Sequence, residues 1–162
     1  MKIGRLLLRV SVGGFFFGHG TQKLFGWFGG HGLDATAKMF EGLGLRPGKA
    51  NAIAAGAAEA GGGALLASGV ATPVAASVLT ATMITAIKTV HGSKGPWLTN
   101  GGYEYNVVLI AAVLALTESG REQPGRAASA ALLVGGLGAV GAHLAAAAAP
   151  PAPTETEQTA GD

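Results

Sequence analysis

Seven ionisable or amide side chains lie within apolar stretches of the sequence or at the ends of those stretches. They are His19, Lys23, Glu59, Lys88, His91, Glu104 and Asn106. Imidazole and carboxylate groups accept and return protons near neutral pH, whereas ammonium and amide groups donate hydrogen bonds. In apolar surroundings such groups pair with one another, bind a polar ligand or pass protons along a path. Their relative positions therefore determine which chemistry is available.

The composition points to a membrane protein. Of 162 residues, 49% are hydrophobic and 12% are charged, against about 25% charged residues in ordinary soluble domains. Cysteine is absent, which excludes thiolate nucleophiles, cysteine-bound zinc and iron–sulfur clusters built from this chain alone. The net charge of +2 is small and its basic residues are scattered, so we exclude a nucleic-acid partner.

Five apolar segments have lengths near the roughly 20 residues that a helix needs to cross a bilayer. They are Leu6–Gly26, Asn51–Val70, Pro73–His91, the shorter Tyr103–Thr117, and Ala127–Ala149. No small-residue cleavage site follows the first segment, so we do not interpret it as a signal peptide. The sequence therefore predicts an all-α, polytopic transmembrane helical bundle with five crossings.

Two further stretches are not predicted to span the bilayer. In residues 30–49, Leu33, Ala37, Phe40 and Leu43 recur at helical spacing, which predicts a helix that either lies in the membrane interface or covers the bundle. Residues 150–162 are rich in Pro, Thr and Glu, which predicts a disordered acidic tail. The predicted organisation is a bundle over 1–120, an additional helix over 127–149 and the tail.

Successive antiparallel crossings place the polar groups in one half of the bilayer. At about 1.5 Å of rise per residue, His19 and Glu59 lie roughly 10–12 Å below the same face. Lys23 follows His19 by four residues, which places both on one side of a helix. We therefore expect Glu59 to reach His19, Lys23 or Lys88 by a hydrogen bond.

Small and aromatic residues add expectations about packing. Gly14 and Gly18 have the spacing that lets two membrane helices approach closely, and Gly61–Gly63 also favour close packing. Aromatic residues at predicted helix ends indicate an interfacial belt on the side of the polar cluster. These aromatic residues are Trp27, Trp97, Tyr103 and Tyr105.

The order of motifs resembles the DoxX family of small bacterial membrane proteins. The motifs are FGHGTQKLFGWFGG (Phe17 to Gly30), AGAAEAGGGALL (Ala55 to Leu66), TPVAA (Thr72 to Ala76), the helix end at His91 and GGYEYN (Gly101 to Asn106). The resemblance implies a four-helix membrane bundle, from which the fifth segment departs. Relatives in that family include the membrane subunit of an archaeal thiosulfate:quinone oxidoreductase and mycobacterial members linked with superoxide dismutase and a sulfurtransferase.

One interpretation of the polar cluster is a quinone-headgroup site, with Glu59 and His91 as the catalytic proton acceptors. His19 and Lys23 would donate hydrogen bonds to the ring oxygens. Lys88, Glu104 and Asn106 complete the predicted binding set. Alternatives are a purely structural ion-pair cluster in a non-catalytic scaffold, or a path for protons or small solutes. A haem or a metal ion held by the histidines and Glu59 would lack further ligands in the sequence, so no metal site is predicted.

The interpretation as a whole is a membrane component of a redox or oxidative-stress complex, acting at most as a quinone-interacting subunit. Its expected partners are the lipid bilayer and redox proteins that deliver electrons, since the sequence has no evident electron donor of its own. The expected location is the bacterial plasma membrane. Compact basic residues before the first segment and the acidic tail favour a cytoplasmic N-terminus.

Overall fold

The computed structural model of the protein describes residues 3–118, which form an all-helical chain. The five α-helices are α1 (Ile3–Phe25), α2 (Gly32–Gly42), α3 (Gly48–Ser68), α4 (Thr72–Ala86) and α5 (Glu104–Glu118). A π-helical turn, Ile87–His91, and a 3₁₀ turn, Gly92–Lys94, continue α4. The predicted helix Ala127–Ala149 and the tail from Pro150 lie outside the described residues.

The helices match the predicted segments closely. Four apolar segments correspond to α1, α3, α4 and α5, and the predicted interfacial or covering stretch corresponds to α2. Local residues explain the boundaries between α3 and α4. Gly69 has the left-handed conformation that ends α3, and Pro73 stands in the first turn of α4, where its missing N–H costs no helical hydrogen bond.

Glycines form the closest seam, between α1 and α3. A Cβ atom on Gly13 would lie 2.6 Å from the carbonyl oxygen of Gly63, and one on Gly20 would overlap the backbone of Gly56 and Ala60. Gly14 and Gly18, the predicted packing positions, have no other group of residues 3–118 within 4 Å of their Cβ positions. Within the described residues, α1 packs on α3 through the neighbouring face, which carries Gly13 and Gly20.

The core is shared by four helices. Phe16 of α1, Leu66 of α3, Leu79 of α4, and Val113 and Leu116 of α5 form one buried cluster. Helix α2 contributes no residue to that cluster and packs mainly on α3. Within residues 3–118, the bundle therefore consists of four helices, with α2 packed mainly on α3.

The outer surface is strongly apolar. Ile3, Leu7, Val10 and Phe15 of α1 are each more than half exposed. Among the described residues, one helix, Thr72–Lys94, is both long and apolar enough to cross a membrane, and the apolar helix Glu104–Thr117 is shorter. The other long helices carry charges, including Arg9 in α1 and Glu59 in α3.

Candidate functional site

A cavity of about 300 Å³ lies between α2, α3 and the end of α4. Its polar lining consists of Lys23, Asn51, Glu59, Thr82, Thr85, Thr89 and His91. Apolar side chains from α2 and the turn after it form another wall, namely Met39, Phe40, Leu43 and Leu45. Polar groups and an apolar wall in one concave site are typical of a small-molecule binding site.

An ion pair joins α1 to α3 at this cavity. Lys23 Nζ donates a hydrogen bond to Glu59 Oε2 over 2.5 Å, and Glu59 is only 5% exposed. The glycine seam holds α1 and α3 close together, so the lysine in the last turn of α1 can reach the middle of α3. The predicted contact of Glu59 with Lys23 is confirmed. The hydrogen bond from Lys23 uses one of the two carboxylate oxygens of Glu59.

His91 lies in the π-helical turn that follows α4, and it also lines the cavity. Its Nδ1 is 2.7 Å from the carbonyl oxygen of Gly101. A carbonyl oxygen only accepts hydrogen bonds, so Nδ1 carries the hydrogen in this contact. In the neutral imidazole, Nε2 is then a hydrogen-bond acceptor. The backbone thus selects the tautomer of His91.

Three threonines of α4 and of the π-helical turn that continues it line the cavity, and they were missed by the sequence analysis. The hydroxyl groups of Thr82, Thr85 and Thr89 each donate to the backbone carbonyl four residues earlier, at 2.9–3.0 Å. Their spacing of three and four residues places them on one face of the helix, and this spacing is the signal that could have revealed them. Asn51 was also missed, and its Nδ2 donates to the carbonyl of Pro47 over 2.9 Å.

Helix α2 forms a cover over the cavity. It is helical as predicted, and Met39 and Phe40 line the cavity that contains Glu59. The hydroxyl of Thr36 donates to the carbonyl of Gly32 within α2. An exposed ion pair between Asp34 and Lys49, at 3.7 Å, links α2 to the start of α3. Of the two predicted arrangements, the structure therefore favours a covering helix packed on the bundle.

The other four predicted site residues do not line the cavity. His19 and Lys88 are exposed on α1 and on the turn after α4. Glu104 Oε1 accepts a hydrogen bond from the backbone N–H of Leu98 over 2.9 Å. Asn106 is buried, and its Nδ2 contacts the sulfur of Met83 at 3.4 Å. The structure thus brings together Lys23, Glu59 and His91 from the predicted set of seven.

Aromatic side chains are exposed at the end of the bundle where α1 and α4 finish. Trp27 packs against Phe25 and Phe28, with ring centroids 5.2 and 6.4 Å apart. Trp97 is also largely exposed. Exposed aromatic groups at helix ends are typical of a membrane interface. This end of the bundle also carries the polar cavity.

Comparisons with known proteins show the family of the chain. The sequence profile of the DoxX family matches residues 4–92, more than half of the chain. The chain belongs to the DoxX family. DoxX proteins are membrane-associated, so this DoxX chain associates with a lipid bilayer.

Two further comparisons concern a curated relative and the solved structures. The DoxX chain is 38% identical over 118 residues to the Bacillus subtilis (strain 168) protein named "Putative oxidoreductase CatD", covering 73% of this chain and 81% of the relative. No solved structure matches this chain significantly.

Proposed function

We propose that this DoxX protein crosses the membrane several times and binds a quinone-type headgroup in the cavity, as the membrane component of a redox complex. The observation that carries the proposal is the meeting of Lys23, Glu59 and His91 at one cavity with an apolar cover. The name of the Bacillus subtilis relative supports an oxidoreductase context. A volume of about 300 Å³ suits a single-ring headgroup, since it stands at the lower end of the range for ligand pockets.

The helix lengths support several crossings. Helices α1 and α3 contain 23 and 21 residues, which correspond to about 35 and 32 Å at 1.5 Å per residue. A bilayer core is about 30 Å thick. Of the charges that lower their apolar character, Glu59 is paired with Lys23, and the guanidinium of Arg9 lies beside Gly69. The outward apolar side chains of α1 would face lipid.

The proposed chemistry uses the three predicted groups in separate roles. In the oxidising direction, the two O–H bonds of a hydroquinone break, and its two electrons pass to a partner redox protein. The two protons pass to Glu59 and to Nε2 of His91, while Lys23 donates a hydrogen bond to a ring oxygen. The reverse direction returns two protons and two electrons to the quinone. The chain lacks cysteine, so the partner supplies the electron-carrying group.

The test is the substitution Glu59→Gln in the protein isolated with its native partners from bacterial membranes. Glutamine keeps the shape and still accepts a hydrogen bond from Lys23, but it cannot take a proton. We expect the variant to fold while quinol-linked turnover falls about 10²–10⁴-fold. Lys88→Gln is the matched control, because Lys88 is exposed and does not line the cavity. Unchanged turnover in a folded Glu59→Gln variant would refute the role of Glu59 as proton acceptor.

A second candidate function is a non-catalytic membrane scaffold. The observation in its favour is that Lys23 and Glu59 already satisfy each other at 2.5 Å, as expected of a pair that fixes how two helices meet. On this view, Glu59→Gln lowers stability by a few kcal/mol at most and leaves quinol turnover intact. Mass spectrometry of lipids that copurify with the native protein also separates the candidates, because a scaffold retains no quinone.

A further inference from the structure

Most polar groups that line the cavity can only accept hydrogen bonds from a ligand. A threonine hydroxyl has one hydrogen to donate and two lone pairs to accept with. In Thr82, Thr85 and Thr89 the hydrogen is already given to a backbone carbonyl. Each of these three side chains therefore offers a ligand lone pairs and no further hydrogen.

Glu59 and His91 add two more acceptors. The carboxylate of Glu59 uses Oε2 for Lys23, and its second oxygen, Oε1, carries lone pairs that can only accept. The Nδ1 hydrogen of His91 is directed to the carbonyl of Gly101, so Nε2 of the neutral ring can only accept. These acceptors come from α3 and from the turn after α4, so they approach the cavity from different helices.

Donors are fewer. The ammonium of Lys23 has three N–H groups, one of which is directed to Glu59. The amide of Asn51 has two N–H groups, one of which donates to the carbonyl of Pro47. The ion pair also makes the formal charge of Lys23 and Glu59 together zero. The lining is thus matched to a neutral ligand that donates hydrogen bonds, and less well to a cation, an anion or a ligand that only accepts.

We propose that the cavity binds the reduced, hydroxyl-bearing form of a quinone-type ring in preference to the oxidised form. This inference rests on the proposed function and adds the preferred ligand chemistry to it. The oxygens of a quinone only accept hydrogen bonds, so they find a partner at Lys23 and face lone pairs elsewhere. The two hydroxyls of a hydroquinone donate one hydrogen bond each, to two of the acceptors among the threonine oxygens, Glu59 Oε1 and His91 Nε2, and they still accept from Lys23.

The experiment is anaerobic isothermal titration calorimetry of the full chain in lipid nanodiscs, with three probes. They are trimethylhydroquinone, trimethylbenzoquinone, and the dimethyl ether of the hydroquinone, which keeps the ring but cannot donate. We expect the hydroquinone to bind at least about ten-fold more tightly than either of the other probes, which corresponds to one or two net hydrogen bonds.

Variants of the threonines assign the preference to the lining. Thr85→Val and Thr89→Val keep the side-chain shape but remove an acceptor, and we expect each to lower the ratio of hydroquinone to quinone affinity about two- to ten-fold. Thr89→Ser retains a hydroxyl and should retain the ratio. Thr117→Val is the matched control, because Thr117 also donates to a backbone carbonyl, that of Leu114, but lies outside the cavity.

Each outcome separates the preference from the proposed function. The preference and the proposed function are both supported if the hydroquinone binds more tightly and if the ratio of hydroquinone to quinone affinity falls in the cavity variants alone. Equal or tighter binding of the quinone overturns the preference and leaves quinone binding in place. If none of the three probes binds to protein that circular dichroism shows to be folded, both the preference and the proposed function are overturned. A ratio that falls equally in Thr117→Val overturns the assignment to the cavity threonines.

Discussion

Removing either partner of the Lys23–Glu59 pair should have unequal effects on stability. The side chain of Lys23 is 23% exposed, whereas that of Glu59 is 6% exposed. Lys23→Met leaves a buried carboxylate without its cation. Glu59→Gln leaves an ammonium that still has an amide oxygen to donate to and can turn its flexible stem toward water.

The magnitudes follow from that asymmetry. Removing one partner of a buried ion pair costs about 3–5 kcal/mol when the remaining charge is uncompensated, and we expect Lys23→Met to fall in this range. Glu59→Gln replaces a charged hydrogen bond by a neutral one, so its expected cost is about 1–2 kcal/mol. The double variant should be more stable than Lys23→Met alone, because the stranded carboxylate is then absent.

The assay is chemical denaturation of the purified protein in mild detergent, followed by far-ultraviolet circular dichroism. Lys88→Met serves as the control, since the same substitution at an exposed lysine leaves no buried charge. The reasoning is refuted if Lys23→Met is no more destabilising than Glu59→Gln, or if the double variant is the least stable of the three. Either result would mean that water reaches Glu59 freely once the lysine is removed.

Three further predictions concern packing, the cover and topology. Gly20→Ala should lower the free energy of unfolding by about 1–3 kcal/mol, because its methyl group would overlap the backbone of α3. In the same denaturation assay Gly18→Ala should be neutral or stabilising, since its methyl group would have no described atom within 4 Å. Phe40→Ala should weaken binding of trimethylhydroquinone about ten-fold in calorimetry by removing part of the apolar wall, and Lys38→Ala, exposed on the same helix, should leave it unchanged. Reporters fused to the two ends of the chain should lie on opposite sides of the membrane if all five apolar segments cross. Finding both reporters on one side would mean that one of the five segments does not cross.

Much of the secondary structure could be read from the sequence. Apolar runs of near-membrane length and local breakers such as Gly69 and Pro73 specify where α3 ends and α4 begins. The helical spacing from Leu33 to Leu43 was sufficient to predict α2. These features depend on residues that are close in sequence, so the pattern alone carries them.

The pairing of Glu59 with Lys23 could also be predicted, since both lie at similar depths on neighbouring helices. The face of α1 that packs on α3 could not be predicted in the same way. Adjacent residues on an α-helix point about 100° apart, so depth arguments do not distinguish Gly13 from Gly14. Which of them meets α3 depends on how α1 is rotated about its own axis. That rotation is set by side chains such as Phe16 in the shared core.

The sequence by itself therefore determined the helical class, the positions of the helices and the presence of polar groups near one end of the bundle. Only the tertiary structure decided which of those groups share a cavity. It directs Glu104 to the backbone of Leu98 and leaves His19 exposed, while α2 encloses Lys23 and Glu59 with the threonines of α4. The physical reason is that helix formation is governed by local spacing, whereas the meeting of side chains depends on helix rotation, side-chain reach and the hydrogen bonds that each group has already made.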